Sequence, residues 1–356
     1  MDDLSDIKDY CLLSFNLLML NPMGDPDGTA LLVEAGANIT TILAAPKPDI
    51  DLATIRNIDA VILRLPGIIN AELLERMPML KVIGTAASGI DNIDLISATT
   101  LGIPVVNCPY AGTEAVAEHA VGMMLGLAKN LRLADALIRK DGWSCREHFV
   151  SERVGSELFG KTLGIVGLGS IGERVAEICR LGFQMRICSY SPTTSPEKFQ
   201  ALQIDRMDDI TELCETADFT LVSAPANSQT RHLIGAKQFS VMPPHAFLIN
   251  ISRGQLVDYS ALLQVLQAKR IAGAGLDVFE TEPLGDTSPL YSLDNVILTP
   301  HVAGASREAH LKRSLLVARQ VLQVLAGEKP AHIVNPLAWQ HRRRVPSKTK
   351  LLKYWV

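Results

Sequence analysis

The chain of 356 residues contains no apolar run approaching the roughly 18 residues that a transmembrane helix requires, so no membrane partner is expected. It also lacks a basic excess. Its 34 Lys and Arg stand against 38 Asp and Glu, a formal net charge of −4 with no electrostatic footprint for nucleic acid. The six cysteines (Cys11, Cys108, Cys145, Cys179, Cys188 and Cys214) form no C-x-x-C pair and no Cys/His cluster at metal-ligand spacing. Neither a disulfide framework nor a bound metal is therefore expected, and reduced thiols fit a soluble, cytoplasmic protein. The basic cluster of a secretory signal is missing before the apolar stretch "CLLSFNLLML" (11–20), where Lys8 is the one basic residue. Asp2, Asp3, Asp6 and Asp9 precede it instead, and the stretch reads as a first strand.

What is present is ordinary globular usage, 47% hydrophobic and 20% charged, over a length sufficient for two domains. Short apolar runs ended by turn residues alternate with helical patterns, as in parallel sheets covered by helices. In the first third the runs are "NLLMLNP" (16–22), "DAVILRLP" (59–66) and "KVIGTAA" (81–87), with helical patterns at 27–37 and 70–80. A long helical pattern at 113–142 follows, its apolar positions three and four apart. Six further strands are then expected, at 162–167, 185–190, 219–224, 246–251, 272–278 and 296–300. The fold class is α/β, with doubly wound parallel sheets of the Rossmann type. From His341 the tail "HRRRVPSKTKLLKYWV" holds six Lys and Arg and no acid, leaving −4 − 6 = −10 for the remainder, and it reads as a basic, disordered end.

The segment "GLGSIG" places Gly167, Gly169 and Gly172 as G-x-G-x-x-G directly after a strand and at the mouth of a helix. In that context Gly167 suits the tight turn, Gly169 the close approach of backbone to a pyrophosphate, and Gly172 the packing of helix on strand. The N–H groups of Ser170 and Ile171 would face the phosphates. The next strand ends in "SYSPTT" (189–194), where NAD-preferring folds carry a carboxylate for the adenosine ribose; Ser191 stands there instead. Its hydroxyl, with those of Thr193 and Thr194, is compatible with a ribose or a 2′-phosphate, and Lys198 is the nearest cation in sequence. Weak discrimination is expected, with NAD the nominal cofactor and NADP also accepted.

Ligands of such sheets bind beyond the carboxyl ends of the strands. The residues there are Ser191, Ala224-Pro225, Ile251 followed by Ser252-Arg253-Gly254, Asp277 with Glu280 and Glu282, and His301 followed by Gly304. An arginine, carboxylates and a histidine at one edge suggest hydride transfer to a carbonyl next to a carboxylate. His119, inside the long helical pattern, reads as structural.

At these residues the chain resembles the D-isomer-specific 2-hydroxyacid dehydrogenases, the family of phosphoglycerate and glycerate dehydrogenases and glyoxylate/hydroxypyruvate reductases. The likeness runs from about Asn21 to Pro336, through "ASGIDNID", "AVAEHAVGMMLGLAKNL", "ELFGKTLGIVGLGSIG", "LINISRGQLVD", "GAGLDVFETEP" and "ILTPHVAGAS". It implies a discontinuous substrate-binding domain (1–109 and 301–340), a dinucleotide-binding domain (110–300) and the basic tail at 341–356. It further implies that Arg253 binds the substrate carboxylate and carbonyl, that Glu282 orients a histidine, and that His301 transfers the proton. Glu280 is the rival for that carboxylate role. Asp277 resembles the family's partner for the nicotinamide carboxamide, Ser88 and Gly89 its substrate-loop backbone donors, and Arg64 an arginine near a substrate phosphate. The activity implied is hydride transfer between NAD(P)H and C2 of a small 2-oxo acid. The alternative is a dinucleotide-sensing corepressor of the same fold. A homodimer through 113–142 is expected, because that apolar stripe exceeds what one sheet covers.

Overall fold

In the computed structural model, residues 14–43, 55–64 and 67–343 are described. They fall into two compact units, one formed by both ends of the chain (up to Gly112 and from Ser306) and one by the centre, Thr113–Ala305. These are the terminal and central units below.

The terminal unit is built on five parallel strands, β1 (Phe15–Leu20), β2 (Ala37–Ile42), β3 (Ala60–Leu63), β4 (Val82–Thr85) and β5 (Val105–Val106), in the order β2-β1-β3-β4-β5. Successive side chains of a strand point to opposite faces, and both faces are apolar here. Leu17 and Met19 enter one core cluster, under the helices Pro26–Glu34 and Arg307–Leu325. Leu18 and Leu20 enter another, under Ala71–Glu75 and Leu95–Thr100. The first pair of helices is started by side-chain caps: Asp25 accepts from Asp27 N at 2.9 Å and Ser306 from Ala309 N at 3.0 Å.

The central unit holds seven parallel strands, β6 (Thr162–Val166), β7 (Arg186–Tyr190), β8 (Asp205–Arg206), β9 (Phe219–Val222), β10 (Phe247–Asn250), β11 (Gly273–Leu276) and β12 (Val296–Leu298), in the order β12-β11-β10-β9-β6-β7-β8. Leu163 and Ile165 of β6 pack with the helices Thr113–Ala128 and Ser170–Phe183, while Val166 faces Leu213, Phe239 and Leu262 on the other side. Strand order reverses beside β6, so the chain leaving it opens onto the crevice where such sheets take ligands.

Doubly wound parallel sheets are thus what both units contain. Several details differ from the expectations. The pattern at 113–142 is two helices, Thr113–Ala128 and Leu131–Asp141, because Asn130 adopts a left-handed φ of 53° that short polar side chains tolerate. The second helix buries none of its residues. The helix expected to 37 stops at Glu34 and is followed by β2, an edge strand whose alternating exposure is hidden by the polar run "ANITTI". β5 and β8, of two residues each, are too short to leave a pattern.

The units part after Gly112 and after Ala305, against expected boundaries at 109 and 300. Asp277 hydrogen-bonds Thr299, Val302 and Ala303, which ties that segment to the central unit. Part of the supposed tail is packed. His341 reaches Thr99 O at 3.0 Å, Arg343 Nη1 donates to Met77 O, Pro78 O and Leu80 O, and Arg342 lies 3.7 Å over the Trp339 ring. The rest of the tail (344–356) and residues 11–13 of the first apolar run lie outside the described residues. Among the described residues no helix is long and apolar enough to cross a membrane.

Candidate active site

The loop after β6 is shaped by its glycines. Gly167 has φ +93°, and a Cβ there would lie 2.5 Å from Ala224 Cα, so both conformation and space exclude a side chain. A Cβ on Gly172 would fall 2.7 Å from Gly167 O, which sets the helix Ser170–Phe183 tight against the loop. A Cβ on Gly169 would instead meet nothing within 4 Å. The backbone thus faces open space at the start of a 14-residue helix, where Ser170 N–H and Ile171 N–H have no intrahelical acceptor. That arrangement fits a dinucleotide pyrophosphate. At the end of β7 Ser191 is buried, 8% exposed, with its hydroxyl 2.9 Å from that of Thr194. Nearby cations are committed: Lys198 pairs with Glu173 at 2.5 Å and Arg206 with Asp208 at 2.9 Å.

Beyond β10 the turn carrying Arg253 is held from within. Asn250, fully buried, accepts from Ser252 N at 3.1 Å and donates to Arg253 O at 3.0 Å. The Ser252 hydroxyl donates to Ala224 O, tying this turn to the end of β9 beside Pro225. Arg253 Nη1 donates to Ser252 O at 2.8 Å. Gly254 allows the turn to press on its neighbour, since a Cβ there would overlap the Phe279 carbonyl carbon. Ile251 and Ala224 are buried beneath.

The segment so contacted leads to Glu282. Its Oε1 accepts from Phe279 N at 3.0 Å and its Oε2 lies 2.7 Å from His301 Nδ1. Burial pushes the Glu282 carboxyl up, but hydrogen bonds from His301 and Phe279 N, with the charges of His301 and Arg253, bring it below the ordinary value. Glu280 is engaged elsewhere, with Arg231 at 3.1 Å and His232 at 3.2 Å. His301 has a left-handed φ of +54° and donates its N–H to Asp277 O at 2.8 Å. The Asp277 carboxylate, 1% exposed, accepts from Thr299 Oγ1 at 2.6 Å and from Val302 N and Ala303 N at 2.9 Å each, one residue short of Gly304. His119 Nε2 stands 3.0 Å from Thr299 Oγ1.

The central unit therefore brings together Arg253, Glu282, His301 and Asp277. The remaining sequence-derived residues belong to the terminal unit. Ser88 donates its hydroxyl to Cys108 O at 3.0 Å, and Gly89 beside it is half-buried. Arg64 follows β3, its carbonyl accepting from Asn21 Nδ2 at 3.3 Å. Burial, then the charges of Arg313 and Arg64, hold His310 below the usual imidazole range, opposed by Asp25. The sequence alone does not single out His119, His310 or Arg313 for a site. Helical spacing hides all three, and nothing local marks such a residue as reaching a strand end. No His, Cys, Asp or Glu group among the described residues suits a metal.

The family model for the D-isomer specific 2-hydroxyacid dehydrogenase NAD binding domain matches residues 121–303. The chain is 40% identical over 294 residues to a glyoxylate reductase of Thermococcus litoralis, covering 82% of this chain and 88% of that protein. It is 38% identical over 319 residues to a D-3-phosphoglycerate dehydrogenase of Methanocaldococcus jannaschii, covering 90% of this chain but only 59% of that longer protein. A crystal structure of a Thermus thermophilus protein superposes with a TM-score of 0.83 at 31% identity, covering 90% of this chain and all of the other. An NADPH-dependent glyoxylate/hydroxypyruvate reductase of Sinorhizobium meliloti, in complex with NADP and malonate, gives 0.80 at 29% identity, covering 93% of this chain and 99% of the other.

Proposed function

Since this chain belongs to the D-isomer specific 2-hydroxyacid dehydrogenase family of NAD(P)-dependent oxidoreductases, we propose that it reduces the C2 carbonyl of a small 2-oxo acid through Arg253, Glu282 and His301. The observation that carries these roles is the 2.7 Å contact of Glu282 Oε2 with His301 Nδ1, on a carboxylate that Arg253 also acts upon. NAD(P)H, when bound, supplies the hydride. The chain supplies the rest. Arg253 grips the substrate carboxylate through paired N–H donors. Glu282 accepts from His301 Nδ1, which leaves Nε2 to hand a proton to the oxygen on C2 as that oxygen gains charge. Asp277 fixes the segment that carries His301. The glycine loop, with Ser191, Ala224, Pro225, Ile251, Ser252 and Gly304, forms the cofactor side. Relatives named as reductases and dehydrogenases favour this reading over a corepressor. Oxidation of NADH and NADPH is the test, followed on adding glyoxylate, hydroxypyruvate or a phosphorylated 2-oxo acid; no turnover with any of a broad panel would sink the reading.

Ser88, Gly89 and Arg64 belong to the substrate in this proposal. Arg64 and Arg313 both act on His310, and such a grouping of cationic and imidazole groups suits an anionic substituent on the substrate. Comparing kcat/KM for phosphorylated and unphosphorylated 2-oxo acids in wild type and Arg64→Met tests it: a selective loss for the phosphorylated compound is expected, and an equal loss for both removes Arg64 from that role.

A homodimer is the proposed assembly. The helices Leu131–Asp141 and Arg146–Glu152 bury no residue, while Leu131 (56%), Trp143 (75%) and Val154 (74%) stay exposed, a surface that suits a second copy. Sedimentation at micromolar concentration should show twice the 38.7 kDa of one chain. A cytoplasmic location is part of the same proposal, supported by cysteines that are unpaired among the described residues.

A further inference from the structure

We propose that His119 is a positioning residue for the proton donor, acting through Thr299 and Asp277 on the segment that presents His301 to Glu282. The inference rests on the reading of His301 as that donor.

His119 lies on the helix Thr113–Ala128, on one stripe with Val116 and Met123, three and four residues away. Met123 is 4% exposed and Val116 packs against the same core, so this stripe is one where an aliphatic residue would serve packing. The imidazole instead points its Nε2 at Thr299 Oγ1, 3.0 Å away, and stands 3.7 Å from Asp277 Oδ1. The hydrogen-bond inventory fixes its role. Thr299 has one hydroxyl proton, and the Asp277 carboxylate 2.6 Å away is an acceptor, so that proton goes to Asp277. The Thr299 oxygen must then accept from His119, which places a proton on Nε2. A chain of donors results: His119 to Thr299, Thr299 to Asp277.

The end of that chain is the His301 segment. Besides Thr299, Asp277 accepts from Val302 N and Ala303 N, the two residues after His301. Between these anchors His301 keeps its φ of +54°, a conformation that a non-glycine residue holds only where its surroundings over-determine it. Without the His119 donor, Thr299 is free to turn its hydroxyl away from Asp277, and one of the three anchors is lost. Proton delivery suffers while the carboxylate grip of Arg253 and the glycine loop remain.

The test is steady-state kinetics on the full chain with NADH and the 2-oxo acid it turns over best. His119→Leu should lower kcat by about 10-fold, leave both KM values within about 2-fold, and raise the solvent deuterium isotope effect as proton transfer becomes slower. His119→Gln, whose amide supplies an N–H donor, should recover at least half of the lost kcat. Thr299→Val should match His119→Leu, and the double variant should be no worse than either single one, since both break one chain. Thr299→Val also serves if His119→Leu does not fold. Loss of kcat in His119→Leu with an unchanged isotope effect and no recovery in His119→Gln overturns the inference, as does additive loss in the double variant. A His301→Ala variant run alongside separates the cases: if it keeps full activity, the underlying assignment of the donor is what has failed.

Discussion

The two sheets share an architecture, and each gathers its polar residues beyond the carboxyl ends of its strands, yet the chemistry gathered there differs. In the central unit the edge carries backbone donors over open space, two engaged carboxylates and a histidine held by one of them. In the terminal unit the comparable edge carries Arg64 after β3 and, on the helix Arg307–Leu325, His310 and Arg313, which repel one another's charge. The doubly wound fold thus decides where side chains collect, and the residues after each strand decide what is done there. In the function proposed above, reaction chemistry belongs to the first edge and recognition of anionic groups to the second.

Removing reactive groups from the central edge should give the largest effects. Arg253→Ala and His301→Ala are each expected to lower kcat/KM by about 10²–10⁴-fold with folding retained, the usual range for losing an anchoring or acid–base group. Arg64→Met in the terminal unit should act mainly on KM. A folded His301→Ala enzyme with more than about half of wild-type activity would show that the central edge does not hold the proton donor.

Glu282 can also be separated from Glu280, a third carboxylate that follows the same strand. Glu282→Gln keeps the shape of the side chain but removes the charge beside His301, and kcat should fall about 10²-fold. Glu280→Gln removes a charge that, among the described residues, pairs with Arg231 and His232, so a change of no more than about 3-fold is expected. The reverse order of the two losses would exchange their roles.

Much of this contrast is legible in the sequence. The glycine loop, Arg253, Glu282 and His301 can be read because each follows a strand in a motif whose spacing is local. Two things cannot. Asn130 breaks the helix at 113–142 through one left-handed residue in a pattern that otherwise stays periodic, and that moves the exposed apolar surface from one long helix to the segment after Leu131. His119 meets Thr299 across 180 residues of sequence, and helical periodicity assigns such a residue to the core by default. Asp277 is an intermediate case: its position at a strand end is evident, but the bonds it makes to Thr299, Val302 and Ala303 depend on the return path of the chain after β12.

The cofactor side of the central edge offers a third perturbation. Ser191 is buried at the end of β7, and Lys198 and Arg206 are paired with carboxylates, so neither charge is reserved for a 2′-phosphate. Wild type should use NADH and NADPH with similar kcat/KM. Ser191→Asp should favour NADH by at least about 10-fold, because a carboxylate there accepts from ribose hydroxyls and repels a phosphate. Identical NADH/NADPH ratios in both proteins would place Ser191 away from the ribose.

The smallest effect distinguishes the edges by the pH at which each loses stability. Glu282 is pulled upward by burial, yet its bonds to His301 and Phe279 N and the charges of His301 and Arg253 leave it below 4.5. A carboxyl lowered in the folded state contributes stability that is complete above its unfolded value and is lost as pH falls through the folded value. Wild type should therefore lose stability relative to Glu282→Gln only below about pH 4.5. His310 is lowered from 6.5 by burial and by Arg313 and Arg64, so the folded chain disfavours its charged form. The unfolded chain then binds the extra proton first, and wild type should weaken relative to His310→Gln as pH falls below about 6.5, before the central edge responds. Urea unfolding of the three proteins from pH 8 to about 3 reads both windows. A His310→Gln curve that runs parallel to wild type through pH 6 would mean that His310 is not held neutral by burial and the two arginines, and the contrast between the edges would lose its electrostatic basis.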